Sequence, residues 1–400
     1  MIPSVLVSTR RAKLLHVVGA RPNFMKVAPI MAAVERWNQN HAADAEALAF
    51  SQTLVHTGQH YDDAMSAVFF RDLGLPAPDV DLGVGSGSHA QQTAEVLRRL
   101  EPVLLAEGPD LVIVVGDVNS TLAAALCAAK LRVPVAHVEA GLRSGDRAMP
   151  EELNRLITDQ LADLLFTTST DADENLAREG IPQRRIHFVG NTMIDTLERL
   201  TARAQAGDAV RRFGLSAGGY ALVTLHRPSN VDDGEQLTRV VRLVSELAKR
   251  IPVVFPVHRR TRERLEKSAE SAVLEAQDSV LMTEPLGYLD FVGLMGEARL
   301  VLTDSGGVQE ETTVLGVPCL TLRTTTERPV TLTEGTNRLI DPLNSSAMQS
   351  AVEDVLRAPF PTTRHRPELW MDMPQIELWQ KWQPGREACP DQSAGRPLAG

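Results

Sequence analysis

Apolar positions fall into short, nearly continuous Val/Ile/Leu runs separated by longer stretches with helical spacing. Runs at 14–18, 111–115, 133–138 and 164–167, and again at 220–225, 252–256, 280–282, 300–303 and 318–322, predict buried strands. Stretches at 24–37, 93–105, 121–131, 151–162, 235–250 and 308–315 predict the amphipathic helices between them. Strands apolar on both faces, alternating with helices, imply parallel sheets covered on both sides and joined by right-handed crossovers. The expected fold class is α/β, with two Rossmann-like domains. The alternation pauses over 196–219, where a polar helix and Gly218-Gly219 precede its restart. One domain is expected at 1–195 and the second at 196–358. Residues 359–400 differ: they carry Trp370, Trp379 and Trp382, yet end in a Gly/Pro/Ser-rich stretch expected to fray.

A chain of 400 residues exceeds the roughly 100–200 of one domain, in agreement with two. The net charge of −10, with no basic stripe, argues against nucleic acid and anionic membrane as partners. Cys127, Cys319 and Cys389 are scattered and odd in number, which argues against a disulfide framework or a zinc site and fits a reducing cytosol. In the first 13 residues a short apolar stretch precedes Arg10, Arg11 and Lys13, the reverse of a signal peptide. No run of about 18 apolar residues occurs. The expectation is a cytoplasmic protein with no metal.

Ligands of open α/β sheets bind beyond the carboxyl ends of the strands. Arg21, Asn23 and Lys26 follow the first strand, Asp117 the run at 111–115, and Glu139 and Arg143 the run at 133–138. In the second half His226 and Arg227, then Asp304-Ser305-Gly306-Gly307, then Glu327 and Arg328 occupy equivalent places. Taken singly, each reads as a cap or a solvated loop charge; as a set they read as one crevice lined by carboxylates and cations. The sharpest segment is 303–311: a strand, two glycines and a helix whose first-turn N–H groups form an anion site, with Glu311 one turn in. A Ser N-cap with dipole-complementing glutamates explains the same spacing. The glycines at 83–87 follow no clear strand and read as a flexible loop, so nicotinamide or flavin binding finds no support. His56 and His60 lack further ligands at metal spacing.

These segments together resemble the non-hydrolysing UDP-N-acetylglucosamine 2-epimerases. The resemblance rests on residues 19–26, Gly116-Asp117, 137–143 (HVEAGLR), 149–155 (MPEELNR), 190–192, His226-Arg227, 256–258, 304–311 and 325–329, in order over about 13–358. It implies GT-B architecture with a ligand cleft between the domains, a UDP-sugar ligand, a homodimer and no redox cofactor. It implies interconversion of UDP-GlcNAc and UDP-ManNAc by elimination of UDP and re-addition to 2-acetamidoglucal. The family's catalytic carboxylates map to Asp117, Glu139 and Glu151, with His226 beside them. UDP contacts map to Arg21, Lys26, Ser305, Gly306, Gly307, Glu311 and Arg328, and Phe291 falls near the uracil position.

Three departures stand out. Asp62 and Pro228 replace a Gln and an Arg of the family's activating second site, which predicts no such activation. An Asp-Gly motif is missing around 367–374, which leaves a helix crossing back to the first domain in doubt. The 139–151 linker is short, a form associated with archaeal-type members. Alternatives are an epimerase of UDP-2,3-diacetamido-2,3-dideoxy-glucuronate, in which Gln tends to stand where Asn23 does, a hydrolysing epimerase, and an inactive UDP-sugar-binding protein.

Overall fold

The computed structural model describes residues 11–44, 47–58, 63–359 and 370; the expectations for His60, Asp62, Cys389 and the remaining tail concern residues outside these. The chain forms two parallel sheets. The first contains β1 (Ala12–Val18), β2 (Phe50–His56), β3 (Val80–Asp81), β4 (Leu111–Val115), β5 (Val135–Ala140), β6 (Leu164–Thr167) and β7 (Ile186–Phe188), in the order β3-β2-β1-β4-β5-β6-β7. The second contains β8 (Ala221–Thr224), β9 (Val253–Pro256), β10 (Val280–Thr283), β11 (Leu300–Thr303), β12 (Cys319–Leu322) and β13 (Asn337–Ile340), in the order β10-β9-β8-β11-β12-β13. Both are doubly wound sheets of the expected Rossmann-like class. Each reverses strand order once, between β1 and β4 and between β8 and β11, and such switch points open the crevices in which ligands sit.

The central strands are wholly apolar because helices cover both faces: every residue of β4, β11 and β12 is buried. One apolar cluster joins the two halves. It includes Val18 and Phe24 from the first, Ile194, Leu197 and Leu200 on the Thr192–Ala206 helix, and Leu222, Val254 and Val301 from the second. Trp370 is buried in this same cluster.

Two expectations need correction. The loop after Asp81 does follow a strand, the two-residue edge strand β3, and it is not free. Val84 and Gly85 N–H groups donate to Thr57 and Gly58, Arg99 donates to the Leu82 and Gly83 carbonyls, and Gln92 donates to Gly85. The strand predicted at 133–138 runs instead from Val135 to Ala140, carrying Glu139 inside it. At that point the register against β6 shifts, and Glu139 has φ +70°. A bulge residue in the left-handed region re-aims its side chain, at a cost of about 1–3 kcal/mol for a non-glycine residue.

Candidate active site at the facing sheet edges

The re-aimed Glu139 carboxylate is 5% exposed and bridges two cations from different halves of the chain. Lys26, from the helix that follows β1, contacts one oxygen. Arg328, from the loop after β12, donates to the other at 2.7 Å. Arg328 also pairs with Glu310 at 2.8 Å and with Glu327, and Glu327 accepts from Arg323 at 2.7 Å. Burial raises the Glu310 carboxyl against the pull of Arg328. Its other oxygen accepts from Asn191, the N-cap of the Thr192–Ala206 helix, at 2.8 Å. A continuous chain of charge thus crosses between the sheet edges.

Asp117 follows β4, one residue after Gly116, whose φ is +67°. A side chain at Gly116 would come within 3.0 Å of the Lys26 ammonium and 3.3 Å of Glu139, so glycine satisfies both the backbone and the space. The Pro150–Leu161 helix grips Asp117 twice. Asn154 donates to its backbone carbonyl at 2.8 Å, and Arg155 donates to its carboxylate at 2.5 Å while also bonding Glu152. Burial alone would raise the Asp117 carboxyl, but Arg155, Lys26 and Arg328 outweigh it and hold it below the usual range. Glu151 is half-buried in the first turn of that helix, one turn before Arg155. The three carboxylates thus lie on three segments at one edge, after β4, inside β5 and on the helix that follows.

On the second sheet, His226 follows β8 and Asp304 follows β11. His226 Nδ1 lies 2.9 Å from Asp304 Oδ1, and the ring is more than a third exposed. The Asp304 side chain is fully buried and also accepts from the backbone N–H groups of His226 and Arg227 and from Asn230. Burial would raise its carboxyl, yet His226 and these donors pull it down to about 2. With Nδ1–H directed at Asp304, Nε2 is the nitrogen left to meet a ligand. Ser305 is the N-cap of the Gly306–Leu315 helix and makes no side-chain capping bond. The helix therefore starts with orphan N–H groups at the cleft. A side chain at Gly306 would collide with Arg328 Nη1 at 2.4 Å and Glu327 Oε1 at 2.6 Å. Gly307 packs beside Met193.

The other expected contacts form a second path across the junction. The Arg21 guanidinium lies over the Phe69 ring at 5.3 Å, and Phe69 approaches Tyr288 at 6.4 Å. Tyr288 donates to Glu311 at 2.9 Å. Burial pushes the Glu311 carboxyl up to about 7 although the Tyr288 bond opposes this. Phe291, on the same helix as Tyr288, is half-buried against the shared apolar cluster. Asn23 accepts from the Gly19 and Ala20 N–H groups, each at 3.0 Å, and donates to Val115 at 2.9 Å. It clamps the loop after β1 to the end of β4. Sequence reading did not single out Arg155, Tyr288 or the orienting role of Asp304. Arg155 stood in a quoted motif, whereas the Asp304 partnership spans 78 residues and has no local signal.

Comparison with known proteins agrees with this architecture. The family model described as UDP-N-acetylglucosamine 2-epimerase matches residues 42–372. The chain is 43% identical to a UDP-N-acetylglucosamine 2-epimerase of Methanocaldococcus jannaschii, over 86% of this chain and 92% of that protein. It is 41% identical to a UDP-2,3-diacetamido-2,3-dideoxy-D-glucuronate 2-epimerase of Pseudomonas aeruginosa, over 85% and 91%. The crystal structure of the Methanocaldococcus jannaschii UDP-GlcNAc 2-epimerase in complex with UDP-GlcNAc and UDP superposes with a TM-score of 0.83. That match has 40% identity and covers 92% of this chain and 98% of the other. The chain belongs to the UDP-N-acetylglucosamine 2-epimerase family.

Proposed function

We propose that this enzyme reversibly converts UDP-GlcNAc to UDP-ManNAc by anti-elimination of UDP, giving 2-acetamidoglucal, followed by re-addition with the opposite configuration at C2. The observation that supports this reading is the Glu139 carboxylate held between Lys26 of the first half and Arg328 of the second, with Asp117 at the end of β4 and Glu151 in the first turn of the helix after β5. The C2 proton is weakly acidic, so C1–O cleavage leads and the departing diphosphate needs stabilisation. Lys26, Arg328, His226 and the amides at Ser305, Gly306 and Gly307 are the groups proposed to supply it. Arg21, Phe291 and Glu311 are proposed to hold the nucleoside. One carboxylate removes the C2 proton and an acid returns one to the opposite face. Asp117, held ionised beside Arg155, is a poor proton donor. We therefore assign to Asp117 an electrostatic or basic role, and the returned proton to another acid of the site.

The experiment is proton NMR of UDP-GlcNAc incubated with the enzyme in D2O. Deuterium at C2 together with UDP-ManNAc supports the reading. Free ManNAc would establish a hydrolysing epimerase instead, and binding without exchange an inactive UDP-sugar-binding protein. A second substrate reading, UDP-2,3-diacetamido-2,3-dideoxy-glucuronate, is favoured by the 41% identity to the Pseudomonas aeruginosa relative. Comparing kcat/KM for the two sugar nucleotides decides between them. The buried placement of Asn23 as a backbone clamp supports a loop-shaping role for it rather than direct contact with a sugar C6 group. Family expectation further supports a homodimer.

A further inference from the structure

We infer that His137 is held as an imidazolium and acts as a positioning residue that ties together the three segments carrying Asp117, Glu139 and Glu151. His137 lies in β5 two residues before Glu139 and is fully buried. Its Nδ1 is 2.6 Å from Asp159 Oδ1, and its Nε2 is 2.8 Å from the carbonyl oxygen of Gly116. Gly116 immediately precedes Asp117, and Asp159 lies on the Pro150–Leu161 helix that begins beside Glu151. One ring therefore touches all three carriers.

Both partners of the ring are acceptors. A carbonyl oxygen has no proton to give, and a neutral imidazole has only one N–H, so one nitrogen would aim a lone pair at an oxygen less than 3 Å away. The remaining option, a proton on Asp159, is opposed by its other oxygen, which lies 2.7 Å from Arg143 Nη2 and accepts from the Gly141 N–H at 3.1 Å. Burial would raise the Asp159 carboxyl, but His137 and Arg143 outweigh it and keep it ionised. Arg143 is in turn paired with Glu179 at 2.8 and 2.7 Å. Two cations, His137 and Arg143, thus balance two carboxylates, Asp159 and Glu179. Among the described residues, Arg185 also reaches the cluster, donating to the Asp159 backbone carbonyl. A fully paired buried network of this kind is rigid, and losing one charge leaves the others uncompensated.

The structural consequence is that two aligned N–H bonds from one planar ring fix the distance between β5, the end of β4 and the helix. A displacement of about 1 Å at a reacting group costs on the order of 10²-fold in rate. No group of this network belongs to the proposed UDP-binding set, so its loss should act on kcat and not on KM.

The test uses the full chain with 15N-labelled histidine. In the wild type, both ring nitrogens of His137, assigned by the signals lost in His137→Asn, should carry protons at neutral pH, as the two acceptors facing them require. A bare nitrogen at neutral pH overturns the inference. Asp159→Asn should return the ring to one proton and lower kcat on the order of 10²-fold at unchanged KM for UDP-GlcNAc. Unchanged kcat, or kcat and KM worsening together, overturns the positioning role. The kinetic arm rests on the epimerase reading and the NMR arm does not, so failure of one is distinguishable from failure of the other.

Discussion

Arg328 donates to Glu139 at 2.7 Å across the junction, joining a loop of the second sheet to a strained residue inside a strand of the first. Arg328 is paired with three buried carboxylates, Glu139, Glu310 and Glu327, whereas Glu139 is paired with two cations. Removing one partner of a buried pair costs about 3–5 kcal/mol. Arg328→Met should therefore destabilise the fold by at least that much and abolish UDP binding, as read by thermal unfolding and calorimetry. Glu139→Gln keeps the shape and some of the hydrogen bonding. It should destabilise less but lower kcat by about 10²–10⁴-fold, the range of a lost general acid or base. A more stable Arg328→Met, or near-normal kcat in Glu139→Gln, would contradict this arrangement.

The His226–Asp304 pair predicts a separate kinetic signature. Asp304→Asn can turn its amide N–H toward Nδ1, which would place the imidazole proton on Nε2 and present a donor where the ligand side now meets an acceptor. kcat should fall by about 10²-fold or more. His226→Asn in the same background should add little, because residues that act as a unit are not additive. Steady-state kinetics of the two single variants and the double variant check this; additive losses would separate the two residues.

What could be read from sequence follows from burial. The runs at 111–115, 164–167 and 300–303 coincide with β4, β6 and β11, because strands covered on both faces must be apolar throughout. β2 begins Phe50-Ser51-Gln52-Thr53, and β13 contains Asn337 and Arg338, so neither shows an apolar run. Near a sheet edge, polar side chains are tolerated. The run at 133–138 starts and ends two residues before β5 does, because Glu139 looks like the end of an apolar run. The partners of its side chain, Lys26 and Arg328, are 113 and 189 residues away. Site positions were legible through motif order, but the bonds that orient them join distant motifs and carry no local pattern.

Glu311, in its proposed role, should make nucleotide binding pH-dependent. Its carboxyl is pushed up to about 7 by burial, with Glu310 adding to the rise and Tyr288 opposing it. In the proposed role it accepts bonds from ribose hydroxyls, which the ionised form does on both oxygens. UDP should thus bind more tightly above pH 7 than below, and near pH 7 binding should release protons. Calorimetry in buffers of different ionisation enthalpy measures that release. Glu311→Gln should remove the release and the pH dependence together. For stability the sign is opposite: a carboxyl raised from 4.5 to about 7 on folding favours the fold below 4.5, and this contribution is lost as pH rises to 7.

His16 should set part of the acid limit of the fold. It is fully buried in β1, where its Nε2 lies 3.0 Å from Gln52 Oε1 and its Nδ1 meets no hydrogen-bond partner. Gln52 Nε2 donates to Met31, which fixes Gln52 Oε1 as the acceptor and so places the His16 proton on Nε2. Protonating Nδ1 would bury an unpaired N–H and a charge. Burial accordingly lowers the ring from 6.5 to about 4, with the Gln52 bond opposing the shift. Between those values the unfolded chain binds a proton that the folded chain does not, so stability falls as pH drops from 6.5 to 4. Over that window the loss is on the order of 3 kcal/mol. Other groups also titrate there, so the measurement is a difference between the wild type and His16→Gln, followed by urea unfolding from pH 7 down to 4. The variant starts less stable at pH 7 because it disturbs packing in β1. The gap to wild type should then narrow as pH falls. A gap of constant size would show that His16 takes up its proton equally well in the folded and unfolded chain.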